Sequence, residues 1–179
     1  MDIFITDVIS NATVNRVLQE IIQKKETKDT KEDKKKIVVY INSQGGDVES
    51  GYALYEIFKL SGLKIITYAI NEVFSSAITV YLAGDERYAT NYSNFMVHEP
   101  YHEYDEDSNT TMTTKSYKKY LKELQGATNE YFKLICKHTV LTPQRLKRYI
   151  ARAESGDWYF RAALAKKLGF VTKIGAPLF

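Results

Sequence analysis

An α/β fold with mostly parallel strands is predicted by three observations: short β-branched runs, apolar or amphipathic helical segments between them, and glycines at the junctions. In order, Ile3 to Ile9 read as an opening strand. Val14, Val17, Leu18, Ile21 and Ile22 then form a helical stripe behind a Ser10/Asn11 cap. The run IVVYI, residues 37–41, is a strand buried on both faces, and VESGYALYEIFKLSG is a helix stopped near Gly62. LKIITYAI is a second buried strand, FSSAITVYLAG a short helix ending at Gly84, and ERYAT and NFMVHEP are further strands. The unit strand, turn, helix, strand therefore repeats, which calls for crossover helices on a parallel sheet. A long helix runs from about Lys115 to His138, and another starts with Thr142 as cap and Pro143 in its first turn. DWYF, the helix RAALAKKLG and the strand FVTKI close the chain.

Composition narrows the function classes. With 179 residues, 44% hydrophobic and 26% charged, the chain fits one domain, residues 1–179. A net charge of +3 is too weak to mark a nucleic-acid binder. The mixed-charge segment KKETKDTKEDKKK reads as a solvated loop, so no nucleic-acid partner is expected. One cysteine, Cys136, rules out an intrachain disulfide and a Cys-rich zinc site, and its apolar neighbours suggest an inert thiol. The N-terminus lacks a basic segment followed by an apolar one, and no uncharged run is long enough to span a bilayer. The expectation is a soluble cytoplasmic protein without a membrane partner.

Reactive side chains are few. Ser75 and Ser76 stand at a strand-to-helix junction, where a hydroxyl can project from the sheet edge beside unpaired backbone N–H groups. Taken alone they are equally ordinary helix caps. His98 ends a strand before Glu99 and Pro100. His98 and His102 have the spacing of a helical zinc pair, but Pro100 between them breaks that geometry, so no metal is expected. Gly45 and Gly46 follow the strand at 37–41, where either a tight turn or a close approach calls for glycine.

Four segments in order carry a resemblance. YINSQGGDVESGYALYE, VFSSAITVYLAG, FMVHEP and DWYFRAALAKKLGFVTKI resemble segments of the ClpP family, the proteolytic subunit of the Clp protease, a serine peptidase. The likeness runs from about Phe4 to Ile174. It implies a ClpP/crotonase-type fold of repeated strand-strand-helix units, with a protruding handle, a strand plus the long helix, at about residues 99–138. Position by position it implies Ser75 as nucleophile, His98 as general base and Asp157 as the orienting acid. Gly46 and Ser76 supply the backbone donors of the oxyanion hole, and Gly45, Val48 and Tyr101 are substrate-binding positions. The implied activity is cleavage of peptides or unfolded proteins inside a homo-oligomer of stacked seven-membered rings, with no metal or organic cofactor.

Departures from the family pattern accompany the likeness. Val73 and Phe74 replace small residues, Gln44 replaces a proline, and Ser155 and Gly156 replace an Asp-Arg pair tied to ring contacts. Extra residues precede Asp157, which leaves Glu154 as the alternative acid. The chain begins almost at the first family strand, so axial loops are expected to be missing and a Clp-type ATPase partner stays open. Other readings are a catalytically weak or structural ring subunit, a dedicated maturation protease without ATPase, an acyl-CoA-binding protein of the crotonase side, and a signal-peptide peptidase. The last two fit the Ser/His/Asp set less well. In the handle, Glu99, Glu103, Asp105, Glu106 and Asp107 precede Lys115, Lys118, Lys119 and Lys122. The resemblance sets these blocks near a junction between rings, with His102 placed to tune it.

Overall fold

A computed structural model describes residues 2–26, 36–101 and 113–175. The acidic block at 103–107, His102, the strand of the handle and the lysine-rich loop at 27–35 lie outside the described residues. Seven strands, β1 (Asp2–Ile5), β2 (Lys36–Ser43), β3 (Lys64–Phe74), β4 (Glu86–Ala89), β5 (Asn94–Val97), β6 (Trp158–Arg161) and β7 (Lys173–Ile174), make one sheet. The helices are α1 (Asn11–Glu26), α2 (Val48–Leu60), α3 (Ser76–Leu82), α4 (Thr114–His138), α5 (Pro143–Arg152) and α6 (Ala162–Leu168). The predicted α/β architecture with crossover helices is therefore present, and among the described residues no helix is long and apolar enough to cross a membrane.

The sheet is organised by β3, which is longer than its apolar run suggests. Its first half pairs in parallel with β4 through Ile66–Ala69, and its second half pairs in parallel with β5 through Glu72–Phe74. Asn71 and Glu72 interrupt the hydrophobic pattern, so the sequence ended this strand at Ile70. The strand continues because the register against β2 shifts between Ile41 and Ser43, and the Glu72 N–H donates to Asn42 Oδ1 at 3.0 Å. Val73 and Phe74 are consequently strand residues, both buried. They reach the end of the sheet directly beneath Ser75.

Three other expectations need correction. The opening strand stops at Ile5, and Ile9 rejoins the sheet only through a single bridge to Gly46. In α1 the buried residues are Thr13, Val17 and Ile21, with Val14 half-buried, whereas Leu18 and Ile22 are exposed. The stripe is real but narrower, because α1 packs on one side only. The closing strand is likewise only two residues long, where FVTKI suggested five.

One face of the sheet carries an aromatic row. Phe4, Tyr40, Tyr68 and Tyr88 are register partners on four adjacent strands, with ring centroids 5.2–6.0 Å apart. The larger core lies on the helical side and contains Ile5, Val39, Leu54, Ile78, Phe95 and Phe132. A buttress at its base is Arg87, whose guanidinium donates to the carbonyls of Gly84, Gly169 and Phe170 at 2.7–3.1 Å. A 3.5 Å contact to the His138 carbonyl extends it, so one cation meets carbonyls at the ends of α3, α4 and α6. The long helix α4 divides in two: residues 114–119 are exposed, whereas Thr128, Tyr131, Phe132 and Ile135 are buried.

Candidate active site

Ser75 follows the last residue of β3 and caps α3 with φ 53° and ψ −126°. It is the one non-glycine residue with positive φ among the described residues, a conformation costing about 1–3 kcal/mol that must be held by its surroundings. The restraints are visible. The Ser75 N–H donates to the Met96 carbonyl of β5 at 2.9 Å, and its own carbonyl accepts from Tyr131 Oη at 3.1 Å and from the Ile78 N–H at 2.9 Å. Burial raises the Tyr131 phenol far above its usual range, so it remains a proton donor. Ser75 Oγ makes no cap bond to its own helix; it lies 2.7 Å from His98 Nε2.

That contact follows from strand register. Phe74 pairs with Met96 in adjacent parallel strands, which sets Ser75 level with Val97, the residue next to His98. The His98 ring in turn packs against Tyr101, with centroids 5.1 Å apart. On the other side of β5 the antiparallel register pairs Val97 with Trp158. Continued by one residue, it sets Asp157 opposite His98. Asp157 lines the same cavity as Ser75 and His98. Its carboxylate accepts a hydrogen bond from Ser155 Oγ at 3.3 Å, and no hydrogen bond joins it to His98. Glu154 is exposed and does not line the cavity.

Both glycines of the turn are sterically required, each by a different neighbour. A Cβ on Gly45, at φ +96°, would stand 2.6 Å from the Phe74 carbonyl oxygen and 2.8 Å from Ser75 Cβ. One on Gly46, at φ +145°, would meet the Ile9 carbonyl oxygen at 2.4 Å. The bridge there uses the Gly45 carbonyl and the Asp47 N–H, each bonded to Ile9, and leaves the Gly46 N–H out of the ladder. Of the tight turn and the close approach that could call for glycine here, the close approach to Ile9 is present at Gly46.

The cavity measures about 680 Å³, and its lining includes Gly45, Gly46, Val48, Ser76 and Tyr101 together with Val8, Thr79, Tyr131 and Tyr159. The last four were not singled out from sequence. Tyr131 lies on the buried face of the long helix, and nothing in the sequence tells which hydroxyl on such a face reaches a backbone carbonyl. Phe74, expected to alter the pocket, does border it and packs edge-on against Tyr159 at 5.5 Å. Among the described residues no group of three or more His, Cys, Asp or Glu could hold a metal ion.

Comparison with known proteins bears on this geometry. The sequence profile of the family described as Clp protease matches residues 1–177. The chain belongs to the Clp protease family. A relative named ATP-dependent Clp protease proteolytic subunit 2, from Borreliella burgdorferi, is 28% identical over 163 residues, covering 90% of this chain and 76% of its own length. A protein of the same name from Chlamydia abortus is 36% identical over 73 residues, 40% of this chain and 36% of that one. Among solved structures, a ClpP1 mutant from Listeria monocytogenes superposes with a TM-score of 0.81 at 21% identity, covering 99% of this chain and 92% of that one. The fold is thus that of ClpP.

Proposed function

We propose that this member of the Clp protease family is a serine endopeptidase that cleaves peptides or unfolded proteins within a ring-shaped homo-oligomer. The observation that carries the reading is the 2.7 Å contact between Ser75 Oγ and His98 Nε2, with Ser75 held in a backbone conformation that lifts its hydroxyl off the helix it starts. Neutral His98 takes the hydroxyl proton as Ser75 attacks the scissile carbonyl, and gives it to the leaving amine as the acyl-enzyme forms. A water molecule then repeats the sequence in reverse and frees Ser75. The N–H groups of Gly46 and Ser76 receive the oxyanion. Gly45, Val48 and Tyr101 border the substrate.

Asp157 holds the His98 tautomer and stabilises the imidazolium in this reading. The register of β5 and β6 supports it over Glu154. For that role its carboxylate must leave Ser155 Oγ, 3.3 Å away, and turn to His98. The same open contact favours a second reading, a catalytically weak ring subunit. A fluorophosphonate probe decides between them: labelling that Ser75→Ala abolishes supports the peptidase, and an unlabelled, folded protein supports the structural subunit. Because stacked rings and a Clp-type ATPase partner belong to the same proposal, sedimentation of the purified chain and peptide cleavage without and with an ATPase test them separately.

A further inference from the structure

The strands that carry the site present alternate residues to two different surroundings. Val73, Phe95 and Phe160 are register partners on β3, β5 and β6, and all three are buried in the core. Phe74, Met96 and Tyr159, the neighbouring row of partners, face the opposite way and line the cavity. Phe74 is 8% exposed and meets the Tyr159 ring edge-on, Met96 is half-buried, and Tyr159 is 52% exposed. Together they make an apolar shelf that is open at Tyr159. Continued by one residue, the alternation along β5 puts His98 on the same side as Met96, and Tyr101, which packs on the His98 ring, lines the same cavity. The next row on that face, Glu72, Asn94 and Arg161, is polar. The shelf is therefore one residue deep.

We propose that Phe74, Met96 and Tyr159 form a subsite for the residue that follows the scissile bond, selecting a large apolar side chain there, aromatic above all. The inference rests on the reading of Ser75 as nucleophile and of His98 as proton donor to the leaving amine. Lateral order decides which end of the substrate meets the shelf. At this end of the sheet the strands stand in the order β2, β3, β5, β6, so Gly46, Ser75, His98 and Asp157 follow one another across it. Gly46, the oxyanion donor, is on the β2 side of Ser75 and His98 is on the β5 side. The amine that His98 protonates, and the residue attached to it, therefore lie towards β5 and β6, where Met96 and Tyr159 are. An aromatic side chain gains from edge and face contacts with the two rings beyond the area it buries. An acidic one is disfavoured, because no Lys or Arg lines the cavity and Asp157 does.

The experiment is a set of internally quenched peptides identical except at the residue after the cleaved bond, which is Phe, Leu, Ala or Asp, with the bond located by mass spectrometry of the products. The wild-type protein is expected to favour Phe over Ala by about tenfold or more in kcat/KM, with Leu between them and Asp lowest. Tyr159→Ala should lower the Phe-to-Ala ratio about fivefold, and Tyr159→Phe should keep it, since the ring and not the hydroxyl forms the shelf. Ratios within one variant cancel differences in folding and active fraction, and Met96→Ala gives the same reading where Tyr159→Ala does not fold. Equal or greater cleavage before Ala by the wild type, or a ratio that these alanine variants leave unchanged while total activity falls, overturns the subsite. If the wild type takes no fluorophosphonate label, the nucleophile reading falls and the subsite with it; labelling with flat ratios removes the subsite alone.

Discussion

The two halves of the candidate site are built to different tolerances. Ser75 and His98 come from neighbouring parallel strands, and Ser75 is fixed by Met96, Ile78, Tyr131 and the glycine turn at once. Asp157 arrives from the far side of α5, at the mouth of a four-residue antiparallel strand, and its carboxylate is engaged by a neighbour two residues away. One half is over-determined, and in the other the carboxylate is engaged with Ser155 instead of His98. The contrast teaches that strand register can fix where a catalytic backbone lies without fixing which hydrogen bond its side chain chooses.

The widest test of the contrast is Ser75→Ala. Peptide cleavage should fall by about 10⁴-fold or more and probe labelling should vanish, with the denaturation midpoint nearly unchanged. Labelling that survives, or that moves with Ser76→Ala, would reassign the rigid half. For the looser half, Asp157→Asn should reduce kcat by about 10²–10⁴-fold through the wrong imidazole tautomer, and Glu154→Gln by less than about twofold. The reverse order would show that the register of β5 and β6 misleads.

Gly45→Ala probes how far the rigid half can give. The backbone carbonyl of Phe74 cannot move aside as a side-chain tip would, so activity should drop about 10²-fold from displacement of Ser75, accompanied by a loss of roughly 2–4 kcal/mol in stability. Full activity would mean that the turn is softer than its contacts suggest.

The smallest effect is a control remote from both halves. His138 Nε2 lies 2.9 Å from Tyr55 Oη, and burial, with Arg87, Lys59 and Lys137 adding to it, holds its pKa down to about 4 from 6.5. The folded protein therefore binds this proton less readily than the unfolded chain, so its stabilising effect is complete above about pH 6.5 and is lost as pH falls towards 4. His138→Gln should flatten that stretch of the stability profile in urea titrations, leaving the pH dependence of any peptidase activity unaltered.

Much of this was legible because the informative signals are local. A β-branched run ended by Gly45 and Gly46, a serine pair after a second strand and a histidine at a strand exit each announce themselves in a few residues. The part that was not legible depends on what packs across space. Leu18 and Ile22 satisfy helical periodicity, yet both are exposed among the described residues. Asn71 and Glu72 look like the end of a strand because nothing in the sequence reveals that Asn42 caps the Glu72 N–H. Asp157 could be preferred over Glu154 only by likeness, whereas the pairing of Val97 with Trp158 supplies a geometric reason.

The glycine turn is wedged between two backbones, the Ile9 segment on one side and the Phe74–Ser75 junction on the other. Residues far apart in sequence are thereby joined like links of a short rigid chain, with Ser43 Oγ reaching the Asp7 carbonyl at 2.6 Å as a further tie. Substitutions at these places cannot drift independently. A change at Ile9 that shifts its carbonyl would alter which residues Gly46 could become, and a change in Phe74 would do the same for Gly45. Variants along this chain of contacts should therefore be tolerated in sets and rejected singly, and Ser75 inherits the history of a segment almost seventy residues before it in sequence.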